Sequence, residues 1–184
     1  MTVTSDSLNR PLSLAANDFE LFDLPQKFDL NRDELDMRWK TLQRHVHPDQ
    51  FASQGVVEKR LAMQWSVRIN EAYQRLKTPL LRAAYICELN GCPVRAEDNT
   101  SMPSDFLMLQ MQWREALEEA DSLGALEALQ TEIEQHRKTA LSKLTQWLDI
   151  DFQWENAVRE VRALMFTERF EKDLHHKMDR LENA

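Results

Sequence analysis

Apolar residues recur along this chain with the period of a helix. Leu35, Trp39, Leu42 and Val46 stand at i, i+4, i+7 and i+11, one stripe on a helix that Asn31-Arg32-Asp33-Glu34 opens as a capping box. Lys40, Arg44 and His47 fall on its opposite face. His47-Pro48-Asp49 ends it, because proline pushes the residue before it out of the helical region and has no backbone donor. A further helix, from about Val57 to Lys77, carries Ala62, Trp65, Ile69, Ala72 and Leu76 at matching spacing. With a loop near Pro48 to Val56, the two helices form an antiparallel hairpin. Ahead of them, Asn17-Asp18-Phe19-Glu20 opens a very short helix that Pro25 must stop.

Beyond the hairpin, Thr78-Pro79 reads as an N-cap with proline in the first helical position, and Gly91 suits the left-handed residue after a helix through Leu81, Tyr85 and Leu89. Cys92-Pro93 and Ser101-Met102-Pro103 bracket a polar loop. Three longer patterns follow over 104–121, 125–148 and 152–181, with turn signals at Asp121-Ser122 and Asp149-Ile150-Asp151. Long helices with short connections predict an antiparallel bundle. The expected architecture is all-α: a disordered Ser/Thr-rich extension over 1–16, a hairpin unit over 17–78, a connecting helix and loop over 79–103, and a three-helix bundle over 104–184. Three glycines, Gly55, Gly91 and Gly124, are too few for the tight turns of a many-stranded sheet or for a phosphate-cradling loop.

Composition narrows the function classes. No run approaches the roughly 20 apolar residues of a spanning helix, and no apolar leader with a small-residue cleavage site follows the first residues. Arg10 stands alone in the extension, unlike an Arg-rich transit peptide. Cys87 and Cys92 are the two cysteines, too few for a disulfide framework or a four-thiolate cluster, and a reducing cytoplasm is the expected location. A net charge of −8 disfavours nucleic acid and anionic lipid as partners. The charge is uneven. Val57 to Lys77 holds five basic residues against Glu58 and Glu71, whereas Glu97 to Glu134 holds ten acidic residues and only Arg114 basic. Such asymmetry suggests one partner for each unit, although ordinary solvated helix faces give the same pattern.

On the helix starting near Pro103, about 100° per residue places Phe106, Leu109, Trp113, Ala116, Leu117 and Ala120 on a core side. Leu107, Met108, Met111, Glu115, Glu118 and Glu119 gather on the other. An apolar patch beside carboxylates, on a face that need not be buried, suits a protein partner, since methionine adapts to irregular surfaces. The same face, covered by the hairpin unit or a second copy, would be structural. No metal, cofactor or catalytic constellation emerges. His45 and His47 are two apart, His175 and His176 are adjacent, His136 is alone, and no Cys-x-x-Cys pair occurs, so no i, i+4 chelating pair exists. Cys87 reads as a buried small hydrophobe and Cys92 as a loop residue. The chain is expected to catalyse nothing by itself.

A basic helix ending in His47-Pro48-Asp49, followed by a helix with Ile69-Asn70-Glu71-Ala72-Tyr73-Gln74-Arg75-Leu76, resembles the J-domain of DnaJ-type co-chaperones. Leu21-Phe22-Asp23-Leu24-Pro25 before it, Gln50-Phe51 within it and Thr78-Pro79-Leu80-Leu81-Arg82-Ala83-Ala84-Tyr85 after it narrow the resemblance to the HscB family, over about residues 18 to 181. The resemblance implies a co-chaperone of iron–sulfur cluster biogenesis with two protein partners. His47, Pro48 and Asp49, with Lys40 and Arg44, would dock on the DnaK-type chaperone HscA and stimulate its ATPase. Leu107, Met108, Met111, Gln112, Glu115 and Glu119, with Phe166, match the family's surface for the scaffold protein IscU. Gln112 departs from the usual acidic residue, and methionine stands at 111 where leucine is common. Two alternatives remain: a J-domain protein with a different client, and a helical metal-handling enzyme built from carboxylates and His175 or His176.

Overall fold

A computed structural model describes residues 15–46, 55–95 and 101–183. Most of the expected extension, and the His47-Pro48-Asp49 turn with Gln50-Phe51, lie outside the described residues. Seven α-helices are described: α1 (Asp18–Leu21), α2 (Arg32–Val46), α3 (Val56–Lys77), α4 (Pro79–Leu89), α5 (Ser104–Glu119), α6 (Leu123–Asp149) and α7 (Trp154–Glu182). Among the described residues the all-α expectation is met, as an N-terminal helical hairpin and a C-terminal three-helix bundle. The chain divides into compact units at Arg82/Ala83, inside α4.

In the first unit, α1 begins with a full capping box: Asn17 accepts from the Glu20 backbone at 2.9 Å, and Glu20 accepts from the Asn17 backbone at 2.9 Å. It ends at Leu21, ahead of Pro25, where Asp23 takes a positive φ of 51°. α2 and α3 lie side by side with Leu35, Leu42 and Val46 facing Ala62, Ile69, Ala72 and Leu76, all buried. Asp18, fully buried at the head of α1, takes salt bridges from Arg68 at 2.6 Å and Arg75 at 3.0 Å, so two arginines of α3 hold α1 down. Trp39 completes the α2 stripe without being buried: its ring stacks on Tyr73 at 4.6 Å and its Nε1 donates to Asn70 at 3.0 Å.

α4 starts at Pro79, with the Arg82 N–H bonded to the Thr78 carbonyl at 2.9 Å. It stops in a Schellman motif, the Cys92 N–H reaching the Cys87 carbonyl at 2.9 Å and the Gly91 N–H the Glu88 carbonyl at 3.0 Å. Gly91 has φ 76°, which a side chain would oppose. Cys87 is buried and Cys92 half-buried.

The bundle core joins Phe106, Trp113 and Ala120 of α5 to Leu126, Leu129 and Ile133 of α6 and Ala163, Phe170 and Leu174 of α7. Ser122 caps α6 by accepting from the Ala125 N–H at 3.4 Å. α6 ends one residue beyond the expected 148, and α7 begins at Trp154 rather than 152, after a turn in which Ile150 and Asp151 both donate to the Gln146 carbonyl. Arg162, buried on α7, donates from Nε to the Val94 carbonyl at 2.8 Å and from Nη1 to the Ser101 carbonyl at 3.2 Å.

Candidate partner-binding surfaces

The outer face of α2 is open. Lys40 and Arg44 are exposed, and neither takes part in an ion pair among the described residues. Arg44 folds back along its helix, its Nε 3.4 Å from the Lys40 carbonyl and its Nη2 3.4 Å from the Thr41 hydroxyl. The side of α2 that meets α3 is tied by polar contacts. Asp36 accepts from Arg32 at 2.7 Å and from the Tyr73 hydroxyl at 3.0 Å. Burial works to raise the Asp36 carboxyl, but these two hydrogen bonds outweigh it and hold it below the usual carboxylate range. Gln43 donates to Asn70 at 2.7 Å. Lys40 and Arg44 thus stand on a helix whose opposite side is fixed in rotation.

α5 has two unlike sides. Phe106 and Trp113 are buried, their rings edge to face at 6.0 Å, and Trp113 donates from Nε1 to Glu132 at 2.8 Å. His136 of α6 lies against both, 5.3 Å from Phe106 and 5.2 Å from Trp113. Its Nδ1 is buried without a hydrogen bond, and burial holds the imidazole below its ordinary pKa. Leu109 and Leu117 are half-buried, but Ala116 is exposed rather than in the core: it lies about 60° from Trp113 around the helix, at the edge of the buried stripe.

The other side of α5 carries Leu107, Met108 and Met111, exposed by 42%, 68% and 70%. Gln112, Glu115, Glu118 and Glu119 around them are exposed as well. Phe166 differs from this group. It is half-buried, edge to face with Phe106 at 5.8 Å, stacked with Phe170 at 6.2 Å and covered by the Arg114 guanidinium at 5.3 Å. Six of the seven residues expected on this surface therefore share one open helix face, whereas Phe166 sits at the margin of the core. At the far end, Lys177 donates to the Leu117 and Glu118 carbonyls at 2.5 and 3.1 Å and so closes the C-terminus of α5 against α7.

No local pattern gave three polar groups a structural role. Glu160 is buried 3.8 Å from Lys143, and its burial raises the carboxyl. Arg162 and His136 are the others. Their surroundings come from segments distant in the chain, so no local pattern marks them. Burial pushes the Cys87 thiol up to about 12, well away from a reactive thiolate. Among the described residues no group of three or more His, Cys, Asp or Glu is placed to hold a metal ion, and no helix is long and apolar enough to cross a membrane.

Known proteins share both fold and sequence with this chain. The family model described as the HSCB C-terminal oligomerisation domain matches residues 102–175. The co-chaperone protein HscB homolog of Paraburkholderia xenovorans is 45% identical over 174 residues, 93% of this chain and 99% of the relative. That of Burkholderia thailandensis is 45% identical over 175 residues, 94% and 99% of the two chains. Among solved structures, chaperone HscB from Vibrio cholerae superposes with a TM-score of 0.83 at 36% identity, covering 90% of this chain and 99% of that one. Human co-chaperone HscB also gives 0.83, at 26% identity over 90% and 83%. A J-domain hairpin followed by a three-helix bundle, with relatives so named, places the protein in the class of co-chaperones. Within that class, the chain belongs to the HscB family.

Proposed function

We propose that this co-chaperone works in iron–sulfur cluster biogenesis in the cytoplasm, binding the IscU-type scaffold through its bundle and delivering it to an HscA-type chaperone. The observation that carries the reading is the open face of α5, where Leu107, Met108 and Met111 stand unburied on a helix fixed from behind by Phe106 and Trp113. Apolar side chains on a rigid helix lose little freedom on docking, so their burial goes largely into affinity. Gln112, Glu115 and Glu119 border them and steer a basic approach. Phe166 contributes at the margin and holds the rim of the core besides. On this reading residues 17–78 are the chaperone-directed J-domain, 79–103 the connection and 104–184 the client-binding bundle, after an extension over 1–16.

The J-domain acts through His47, Pro48 and Asp49, with Lys40 and Arg44 on the adjoining helix face. Proline fixes the direction of the turn, and a carboxylate beside an imidazole makes directional polar contacts to the chaperone. The chain itself performs no chemistry and needs no cofactor; it accelerates ATP hydrolysis by its partner. The test is to titrate the purified scaffold and to measure chaperone ATPase with two sets of variants. Leu107→Ala with Met108→Ala weakens scaffold binding and spares ATPase stimulation by the chain alone. His47→Gln or Asp49→Asn does the reverse. Full stimulation by either J-domain variant at saturation defeats the assignment of that turn, and unchanged scaffold affinity in the α5 variant defeats the assignment of that face.

A further inference from the structure

The turn between α6 and α7 is apolar where a surface turn is ordinarily polar. It reads Asp149-Ile150-Asp151-Phe152-Gln153-Trp154-Glu155, carboxylates interleaved with large apolar residues, and no cation stands from Asp149 to Val158. Ile150 and Phe152 are each exposed by 60%, and Trp154 is half-buried with its ring 5.7 Å from that of Phe152. Phe152 also holds a φ of 53°, in the left-handed region that an aromatic L-residue rarely adopts. The bonds around it keep it there. The Ile150 and Asp151 N–H groups donate to the Gln146 carbonyl at 3.1 and 2.9 Å, and the Gln153 N–H donates to the Trp147 carbonyl at 2.9 Å. The Gln146 side chain adds a bond to the Asp151 carboxylate at 3.0 Å.

Folding does not call for a phenylalanine at this position. Glycine or asparagine takes such a φ with less strain, and a ring lying mostly in water gains little from burial. What the conformation does is display the ring beside Ile150 and Trp154 on a turn fixed from behind, and a strained residue so held marks a binding site. The charges select the ligand. Asp151 and Glu155 are exposed, and with Asp149 they repel anionic lipid, phosphate and a second such turn. They attract a cation, which the faces of Phe152 and Trp154 also favour, while Ile150 suits an apolar neighbour on the same ligand. We propose that the α6–α7 turn is a docking site for a basic segment of a partner protein, with arginine or lysine next to an apolar residue. This site is separate from the open face of α5. Phe106 of α5 packs on His136, and Asp149 lies about 20 Å further along α6 at about 1.5 Å per residue. The bundle therefore holds a ligand here whether or not another occupies α5.

A phage-displayed library of random short peptides, panned on the immobilised full chain, is the probe. Enriched sequences are expected to place arginine or lysine beside an apolar residue. A synthetic peptide of the enriched sequence, titrated by fluorescence anisotropy, loses at least tenfold in affinity for Phe152→Asn and for Glu155→Lys, and binds Leu107→Ala/Met108→Ala as it binds the parent chain. Raising salt from about 50 mM to about 500 mM weakens the parent complex severalfold. Phe152→Asn also separates display from folding. Asparagine accepts a positive φ, so the thermal midpoint holds or rises while binding is lost. Where that midpoint falls instead, Ile150→Ser, at an equally exposed position, replaces it as the test variant and is expected to lose binding without loss of stability.

Three results overturn the proposal: no enriched family of peptides, enrichment of acidic ones, or a peptide that binds the Phe152→Asn and Ile150→Ser chains as tightly as the parent. Two further measurements name other occupants. Sedimentation velocity of the parent against Phe152→Asn, and flotation of both with phosphatidylcholine vesicles, are expected to show no difference. A mass or a vesicle-bound fraction that falls in the variant assigns the turn to a second copy or to a lipid surface and overturns the proposal as well.

Discussion

The hairpin unit and the bundle are both made of antiparallel helices, yet different forces hold them. Between α1, α2 and α3 the apolar core of Leu35, Leu42, Val46, Ile69 and Leu76 is supplemented by directional polar contacts: Asp18 with Arg68 and Arg75, Trp39 and Gln43 with Asn70, and Tyr73 with Asp36. Between α5, α6 and α7 the supplement is aromatic: Phe106, Trp113, Phe166 and Phe170 form one connected group with His136 against it. Helix length explains part of the contrast. The 15 and 22 residues of α2 and α3 bury narrow stripes, whereas the 27 and 29 of α6 and α7 bury long ones. Directional bonds fix how a short helix is rotated; buried area fixes only that it stays. Lys40 and Arg44 stand on a helix held in rotation by the former, and α5 rests on a bundle held by the latter.

Four measurements press on this contrast. Trp113→Ala has the largest effect. It empties the centre of the aromatic group and costs the bundle about 3–5 kcal/mol, read as a lower thermal midpoint, while amide exchange in α2 and α3 stays at parent rates. Equal loss of protection in the hairpin would mean that the units do not have separate cores. Asp18→Ala comes next. It takes the buried carboxylate away from Arg68 and Arg75, and both arginines reach water, which holds the cost to about 2–3 kcal/mol. The loss appears as faster exchange in α1 and α3, and it grows smaller in high salt, which Trp113→Ala does not imitate.

Acidification separates the units more gently. Burial, joined by Lys143, depresses the His136 imidazole, while Asp105 and Glu132 pull the other way and do not prevail. The folded chain thus takes up this proton less readily than the unfolded chain. The stability involved is whole above the unfolded value of 6.5 and drains away as pH falls below it. Glu160, raised by burial, acts oppositely at lower pH, so the comparison to make is the parent chain against His136→Gln. The gap between their melting curves is expected to narrow below about pH 6.5. The smallest effect belongs to Met108→Ala and Met111→Ala, which move the midpoint by no more than about 0.5 kcal/mol because both side chains already face solvent. A drop as large as that of Trp113→Ala would show α5 to be covered on both sides.

The helices were readable because their stripes are regular: Leu35, Leu42 and Val46, or Phe106, Trp113 and Ala120, announce both period and facing side. The open face of α5 was readable for the same reason, as what remains when the core side is assigned. Ala116 was misread because its small side chain fits a core flank or a surface equally well. Phe166 was expected at the scaffold surface on resemblance, and its cover of Phe106, Phe170 and Arg114 comes from α5 and α7, two helices that no local pattern joins. His136, alone in sequence, acquires its neighbours Phe106 and Trp113 from α5, well upstream in the chain. Asp18 looked like a capping-box residue and proved to be the anchor of α1, a role set by two arginines on α3.

Arg162 grips the carbonyls of Val94 and Ser101 with one guanidinium, so the two ends of the intervening stretch are already gathered before its own residues contribute anything. The start of α5 is then set by a side chain of α7 rather than by how many residues lie between. Lengthening such a tethered stretch adds only a closure entropy that rises with the logarithm of its size, about 0.6 kcal/mol for each doubling. Insertions between Val94 and Ser101 are accordingly cheap for this fold, and related chains are free to differ in length there while keeping α5 at the same height on the bundle.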